Sequence, residues 1–396
     1  MSRRQKIAIL GATGSVGRQA LEVISVFTDR FEVVGLAANE NASEMAELVK
    51  KHNPRLVAMA STRAADQLRN LLDDDDRVEI IAGPDSLIDL ACDAEVEIVL
   101  AAVVGRAGLP PTYAAVQAGK TIALANKESL VMAGELVMKE AQTRQVAILP
   151  VDSEHAAAHQ LLASVERDQV KKIVITASGG PFFGRARQDL SRVSAQQALA
   201  HPKWDMGAKI SIDSATMMNK GFEVIEARWL FDLAPEQISV LIHPQSLIHA
   251  LLETIDGSVV CQMAAPDMRG PIAYALGYPN RLNLPQRLNN FDPLDLFQMS
   301  QISFHQAKER DYPALSLCRE ALEQGGGAAA ALSVADEVVV AAFLEGRIGF
   351  NEITDILKGT MDRFQNAPIS SIADVLQAGE QGASLATALV NESKQS

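Results

Sequence analysis

The chain has 396 residues, too many for one typical core, so two or three domains are expected. Hydrophobic residues make up 48% and charged residues 21%, which excludes a disordered or fibrous class. A net charge of −13 excludes general binding to nucleic acid or anionic membrane, because no field of Lys and Arg is there to replace counterions, and an anionic substrate would need locally placed cations.

Lys6 to Leu10 reads as a short strand, GATGSVG at 11–17 as a tight turn, and Gln19 to Val26 as a helix. Glycines at 11, 14 and 17 let the backbone approach a pyrophosphate seated on the amides of the helix start. The spacing is G-x-x-G-x-x-G, and a turn needed only for tight packing is the alternative. Phe31 to Ala37 is a second strand, ending at Asn39-Glu40-Asn41, where an acid that reads the ribose would stand. No Asp or Glu sits at the strand end itself, which favours NADP; Glu40 is nearby and no Arg accompanies it. Strands Leu56 to Ala60, Val78 to Ala82, Glu97 to Val103, Thr121 to Leu124 and Val146 to Val151 alternate with helices, indicating a parallel sheet covered on both faces. Asp73 to Asp76 reads as a solvated loop.

Two of these strand ends carry chemistry. LANKESLV at 124–131 places Asn126 and Lys127 after a strand and Glu128 at a helix start; Lys127 meets a substrate oxygen, pairs with Glu128 or serves the helix start. In PVDSEH at 150–155, Asp152 and Glu154 are spaced i, i+2, and extended backbone would send both carboxylates to one side, as a hard divalent cation requires. A helix cap is the competing role. Beyond them follow a helix through Gln160, a strand Lys172 to Ala177 and the turn Ser178-Gly179-Gly180, which offers a hydroxyl and open amides to an anion.

The stretch His201 to Glu226 is the densest in functional groups. Ser214, Asn219 and Lys220 suit a phosphate, through hydroxyl and amide donors and a compact positive charge. With a helix starting near Gly221, the Glu223 carboxylate points back toward them, and Val224, Ile225 and Trp229 pack inward. Glu223 would complete three carboxylates with Asp152 and Glu154 for Mg²⁺ or Mn²⁺. A polar loop leading into an ordinary amphipathic helix is the bland alternative. Further on, Ile238 to Ile242 is a strand, and Leu247 to Thr254 with Ser258 to Met263 flank a hairpin turn at Ile255-Asp256-Gly257. Tyr278 to Asp311 resembles a linker. Ala314 to Glu392 is largely helical, interrupted by GGGAAAAL at 325–332, with Ser371 and Asp374 placed to cap its last helix. The expected fold class is α/β: an N-terminal Rossmann-like parallel sheet (1–150), a central α+β catalytic domain (151–277), a linker (278–311) and a C-terminal helical bundle (312–396).

Cys92, Cys261 and Cys318 are odd in number and form no CxxC pair, which predicts reduced thiols that serve as small core residues. No apolar run reaches the roughly 18 residues of a spanning helix, so a cytosolic protein or a mature form is expected.

With GATGSVG, LANKESLV, PVDSEH, TASGGPF (176–182), HPKWDMG (201–207) and DSATMMNKGFEVIEA (213–227) in this order, the sequence resembles the 1-deoxy-D-xylulose 5-phosphate reductoisomerase family over nearly its full length. The resemblance implies a homodimer that rearranges and reduces this sugar phosphate to 2-C-methyl-D-erythritol 4-phosphate, using NADPH and Mg²⁺ or Mn²⁺, with Co²⁺ a third candidate. It further implies Asp152, Glu154 and Glu223 as metal ligands, and Ser153 and Lys127 against the substrate backbone. Ser178, Ser214, Asn219 and Lys220 would hold the phosphate, and His201 and Trp204 would lie in a flap over the substrate. Thr13, Gly14, Ser15, Val16, Asn39, Asn41, Asn126, Glu128 and Gly207 would face the dinucleotide. Asn39 and Glu40 stand where the family often has a glycine and a base, Arg106 replaces a usually small residue, and Ser333 and Asp336 replace asparagines. A semialdehyde dehydrogenase, the first alternative, would need a reactive cysteine in a suitable motif. A non-catalytic dinucleotide sensor, the second, would not need the three carboxylates.

Overall fold

The structure, a computed structural model, describes residues 3–73, 77–201, 204, 206–308 and 310–393. Asp74, Asp75 and Asp76 of the acidic run, and Pro202, Lys203 and Asp205 of the central stretch, lie outside the described residues. The chain divides into two compact units. One comprises 1–126, 137–156 and 267–293, the other 127–136, 157–266 and 294–396.

In the first unit, seven short strands alternate with helices: β1 Gln5–Leu10, α1 Ser15–Val26, β2 Phe31–Ala38, α2 Ala42–His52, β3 Leu56–Met59, α3 Thr62–Leu71, β4 Glu79–Ala82, α4 Ser86–Cys92, β5 Ile98–Ala101, α5 Leu109–Gln117, β6 Thr121–Leu124 and β7 Ile148–Pro150. Between β6 and β7 runs α6 (Glu128–Arg144), and α7 (Ser153–Leu162) follows β7. The strands are all parallel, in the order β4-β3-β2-β1-β5-β6-β7. Their near-continuous apolar runs are what a sheet buried on both faces requires. The order reverses between β1 and β5, the position where open parallel sheets leave a crevice for ligand at the strand C-termini.

The second unit is built on a mixed sheet and a helical region. After β8 (Val170–Ala177) come α8 (Ala195–Leu199), α9 (Ala208–Thr216), α10 (Met218–Phe231), β9 (Ile238–Ile242) and the antiparallel pair β10 (Ile248–Thr254) and β11 (Val259–Met263). The chain then contributes α11 (Arg269–Gly277) and α12 (Leu284–Arg287) to the first unit, where Ile272, Leu276 and Leu284 join its core. It returns with β12 (His305–Gln306), which completes the sheet order β11-β10-β8-β9-β12. Residues 278–311 thus carry a helix packed into one core and a strand paired in the other sheet.

The helices α13 (Pro313–Gln324), α14 (Ala328–Leu344), α15 (Phe350–Arg363) and α16 (Ile372–Ser393) form the C-terminal bundle. Ser371 and Asp374 form a reciprocal cap at the start of α16: the Ser371 hydroxyl accepts from the Asp374 amide at 3.2 Å, and the Asp374 carboxylate from the Ser371 amide at 3.0 Å.

Helix α10 packs into two hydrophobic cores of this unit. Val224, Ala227 and Phe231 pack against Ile173, Ile175 and Leu252 of the sheet, whereas Met218, Phe222 and Ile225 pack among the C-terminal helices. With two faces committed to cores, Asn219, Glu223 and Glu226 of α10 fall on a remaining stripe at helical spacing, with Lys220 beside it. The cysteines depart from expectation. Cys318 is buried on α13, but Cys92 at the end of α4 and Cys261 on the outer strand β11 are exposed, because neither a helix terminus nor a sheet edge is covered on all sides. All three are free thiols. Among the described residues, no helix is long and apolar enough to cross a membrane.

Candidate active site

The turn after β1 is shaped by its glycines. Gly11 has φ +86°, and a Cβ there would lie 2.5 Å from the Ala102 carbonyl, just past β5. A Cβ on Gly17 would lie 2.3 Å from the Gly11 carbonyl, so the turn and the helix start close on each other only without side chains. Gly14 is the N-cap of α1 and offers no side-chain cap, which leaves the first amides of the helix oriented outward from Ser15 and Val16. Such an end binds anions through its N–H groups and dipole. This cradle fits a dinucleotide pyrophosphate. At the end of β2, Asn41 caps α2: its Oδ1 accepts from the Glu44 amide at 3.2 Å and its Nδ2 donates to the Glu44 carboxylate at 2.8 Å. Asn126 donates from Nδ2 to the carbonyls of Val103 (2.6 Å) and Gly105 (3.0 Å), and pins the loop after β5.

At the end of β7, the backbone turns directly into α7 instead of remaining extended, so the period-two argument for Asp152 and Glu154 does not apply. Asp152 caps the helix. Its Oδ1 accepts from the amides of Glu154 (3.1 Å) and His155 (3.4 Å) and lies 3.0 Å from His155 Nδ1. These contacts fix the carboxylate's rotamer, and the buried Ser153 donates its hydroxyl to Glu154 Oε2 at 3.0 Å. Cap and ligand are compatible roles, since a carboxylate has two oxygens and about four lone-pair sites.

In the second unit, α10 begins at Met218, three residues before the expected Gly221, because Met217 alone (φ +66°) breaks it from α9. Asn219, Lys220 and Glu223 are therefore all helical and share one face. Glu223 is fully buried. Its Oε1 accepts from Asn219 Nδ2 at 2.6 Å and from Lys127 Nζ at 3.0 Å, and its Oε2 pairs with Lys220. Lys127 and Lys220 are themselves buried, so within this unit two ammonium groups flank one carboxylate, an excess of positive charge suited to an anion. The turn after β8 lies against α9: Gly180 has φ +70°, and a Cβ on it would lie 2.7 Å from the Ser214 carbonyl. Ser178 Oγ accepts from the Gly180 amide at 3.1 Å and lies 2.9 Å from His201 Nε2. His201 Nδ1 accepts from the Trp204 amide at 2.9 Å, which leaves Nε2 as the protonated nitrogen of the neutral ring. Burial pushes the His201 pKa down, consistent with that neutral form.

Three family models match most of the chain: 1-deoxy-D-xylulose 5-phosphate reductoisomerase over residues 7–134, its C-terminal domain over 148–231, and the DXP reductoisomerase C-terminal domain over 263–384. The chain belongs to the 1-deoxy-D-xylulose 5-phosphate reductoisomerase family. It is 47% identical over 388 residues to the reductoisomerase of Thermodesulfovibrio yellowstonii, covering 98% of this chain and all of that one. It is 46% identical over 374 residues to that of Geobacter metallireducens, covering 94% and 96%. A solved DOX-P reductoisomerase in complex with NADPH, fosmidomycin and magnesium superposes with TM-score 0.93 at 40% identity over 99% of both chains. The Zymomonas mobilis enzyme in complex with NADPH gives 0.90 at 40% identity, covering 98% and 99%.

Within this reductoisomerase, one cluster escaped sequence reasoning. Lys209 Nζ lies 2.5 Å from Asp213 Oδ2, 2.8 Å from Asp336 Oδ2 and 3.9 Å from Glu128 Oε1. Glu128, expected at the dinucleotide, is thus drawn to Lys209 at the head of α9. Burial pushes Asp213 well up, with repulsion from Asp336 adding to it. Lys209 is raised well above its usual range: burial alone would lower it, but Asp213, Asp336 and Glu128 outweigh that. Asp336 Oδ1 and Oδ2 and Ser333 Oγ, at the two positions where the family commonly has asparagine, are buried without hydrogen-bond partners among the described residues; the Lys209 contact is close enough for attraction but poorly angled for a hydrogen bond. In the sequence, the i, i+4 spacing of Lys209 and Asp213 is the one local sign of this cluster.

Proposed function

We propose a division of labour among the residues of this enzyme, which rearranges and reduces 1-deoxy-D-xylulose 5-phosphate to 2-C-methyl-D-erythritol 4-phosphate with NADPH and a divalent cation, a step of isoprenoid biosynthesis. The observation that carries the assignment is Glu223, a fully buried carboxylate held by Lys127, Asn219 and Lys220. Asp152, Glu154 and Glu223 offer hard carboxylate oxygens and are the metal ligands; Mg²⁺, Mn²⁺ and Co²⁺ all accept such a set. Bound NADPH supplies the hydride and the bound cation supplies a Lewis acid for the substrate's carbonyl and hydroxyl oxygens.

Ser178, Ser214, Asn219 and Lys220 clamp the phosphate, Lys220 exchanging its pairing with Glu223 for the phosphate oxygens. That remote clamp positions the reacting end. Ser153 and Lys127 orient the substrate backbone, Lys127 donating to a substrate oxygen, and His201 and Trp204 close over it and exclude water. Thr13, Gly14, Ser15 and Val16 seat the pyrophosphate, Asn39 and Asn41 flank the adenosine ribose, and Asn126, Glu128 and Gly207 stand toward the nicotinamide. Residues 1–150, joined by Gly207, bind NADPH, 151–277, joined by Lys127, supply the metal and substrate contacts, and 312–396 form the helical support beyond the connection 278–311.

The working form is a cytosolic homodimer. Support for dimerisation comes from β11, an outer strand whose Val259 and Val260 are exposed, an edge of the kind proteins cover by pairing. The deciding assay follows NADPH oxidation with 1-deoxy-D-xylulose 5-phosphate. EDTA abolishes it and Mg²⁺ or Mn²⁺ restores it; turnover that survives the chelator removes the metal assignment.

A further inference from the structure

The end of β2 is where a Rossmann domain separates NADP from NAD, and this chain has no base among Asn39, Glu40 and Asn41 to meet an adenosine 2′-phosphate. Two arginines from neighbouring elements stand near that end. Arg18, on α1, is hydrogen-bonded to the Glu44 carboxylate at 3.1 Å, and Glu44 is itself locked into the Asn41 cap of α2. Arg63 stands at the second position of α3. The start of α3 is tied to the end of β2: the Ser61 amide donates to the Asn39 carbonyl at 3.3 Å, and the Ser61 hydroxyl caps the helix by accepting from the Ala64 amide at 3.3 Å. The Arg63 guanidinium lies 3.9 Å from Glu40 Oε1, beyond hydrogen-bond reach, with both side chains largely exposed. Such a pair contributes little and is easily exchanged for a stronger one. A phosphate, with its planar bidentate match to guanidinium, is that stronger partner.

Resting on the NADPH assignment above, we propose that Arg63 is the residue that reads the 2′-phosphate of NADPH, and that Glu40 is its counter-ion until the coenzyme arrives. Selectivity for NADPH then comes from the start of α3 and not from the loop after β2. Glu40 opposes it, because its carboxylate repels the same phosphate once Arg63 has turned away.

The test is calorimetric titration of the metal-free, substrate-free enzyme with NADPH and with NADH at two salt concentrations. Arg63→Ala raises the NADPH Kd about tenfold, the loss of one charge-assisted contact, and leaves the NADH Kd within about twofold. Arg63→Lys recovers part of that loss, and Glu40→Gln tightens NADPH alone. The steeper salt dependence of NADPH binding disappears in Arg63→Ala. Equal weakening of both coenzymes by Arg63→Ala, no weakening of either, or an NADPH-selective loss on Arg18→Ala overturns the proposal. Failure of the unmodified enzyme to bind either coenzyme overturns the nucleotide assignment with it.

Discussion

Replacing Lys209 by Met removes the cation that Asp213 and Asp336 share while keeping most of the aliphatic stem. Both carboxylates are almost wholly buried, and their oxygens lie 2.5 and 2.8 Å from Nζ. At an effective dielectric of about 20, each contact represents a gross attraction of about 6 kcal/mol, most of it offset by desolvation. Measured losses for removing one partner of a buried pair are about 3–5 kcal/mol, and that is the expected deficit here. Its pH dependence has a definite sign. Asp213 is already raised by burial and by Asp336, and loses in the variant the ammonium that lowers it. A carboxyl group raised in the folded state contributes stability below its unfolded value, near 3.9, and loses it as pH rises through the folded value. The deficit therefore grows with rising pH and shrinks on acidification, with pH 8 and pH 5 as the two points compared. Urea unfolding of both proteins at the two pH values measures it. A deficit under about 1 kcal/mol at pH 8, the size of a surface pair, or one that grows on acidification, refutes the reasoning. Asp336→Asn, which removes one buried charge and leaves the Lys209 and Asp213 pair intact, stays within about 1 kcal/mol of the unmodified protein.

Lys220→Ala raises the KM for 1-deoxy-D-xylulose 5-phosphate by at least about tenfold in steady-state assays, the loss of one charge-assisted phosphate contact; an unchanged KM removes Lys220 from the phosphate site. Glu223→Gln lowers kcat by about 100-fold or more while the NADPH Kd by fluorescence titration stays within about twofold, and equal losses in both contradict the ligand assignment. Gly17→Ala places a methyl group 2.3 Å from the Gly11 carbonyl and 2.7 Å from Ala12 Cα, so the turn must open; the NADPH Kd rises by at least about tenfold, and a normal Kd shows that the turn's closure is not needed for binding.

The parallel sheet was readable because its determinants are local: short apolar runs, glycine turns and helical periods between them fix β1 to β7 without reference to distant residues. The hairpin of β10 and β11 was readable for the same reason, from Asp256-Gly257 between two β-rich runs. The start of α10 was not. No glycine or proline marks the break after α9, and a methionine in the left-handed region makes the turn, a conformation that tertiary packing of Met217 and Met218 sustains against local preference. Residues 278–311 carry several prolines and little periodicity, and that pattern records short elements, not an absence of packing: Leu284 is buried and His305 pairs with Ile242.

The site divides along the same line. Asn219, Lys220 and Glu223 lie within one helical turn and a residue of one another, so their shared face follows from spacing alone once a helix is assigned. Asp152 followed a weaker argument. Its side chain competes with the backbone for the helix start, as Asp does at an N-cap, and that local bond, not strand alternation, sets the direction of its carboxylate. Lys209 and Asp336 lie on different helices far apart in sequence, and no pattern in either segment foretells that one ammonium would serve two buried aspartates. Such pairings exist only after α9 and α14 have packed. Sequence therefore reported the groups that chemistry needs at short spacing, and was silent on the charges that packing brings together to hold those groups in place: Asp213, one turn after Lys209, directly precedes Ser214 on α9, so the strength of the contacts that Lys209 makes to Asp213 and Asp336 bears on how firmly that serine is presented.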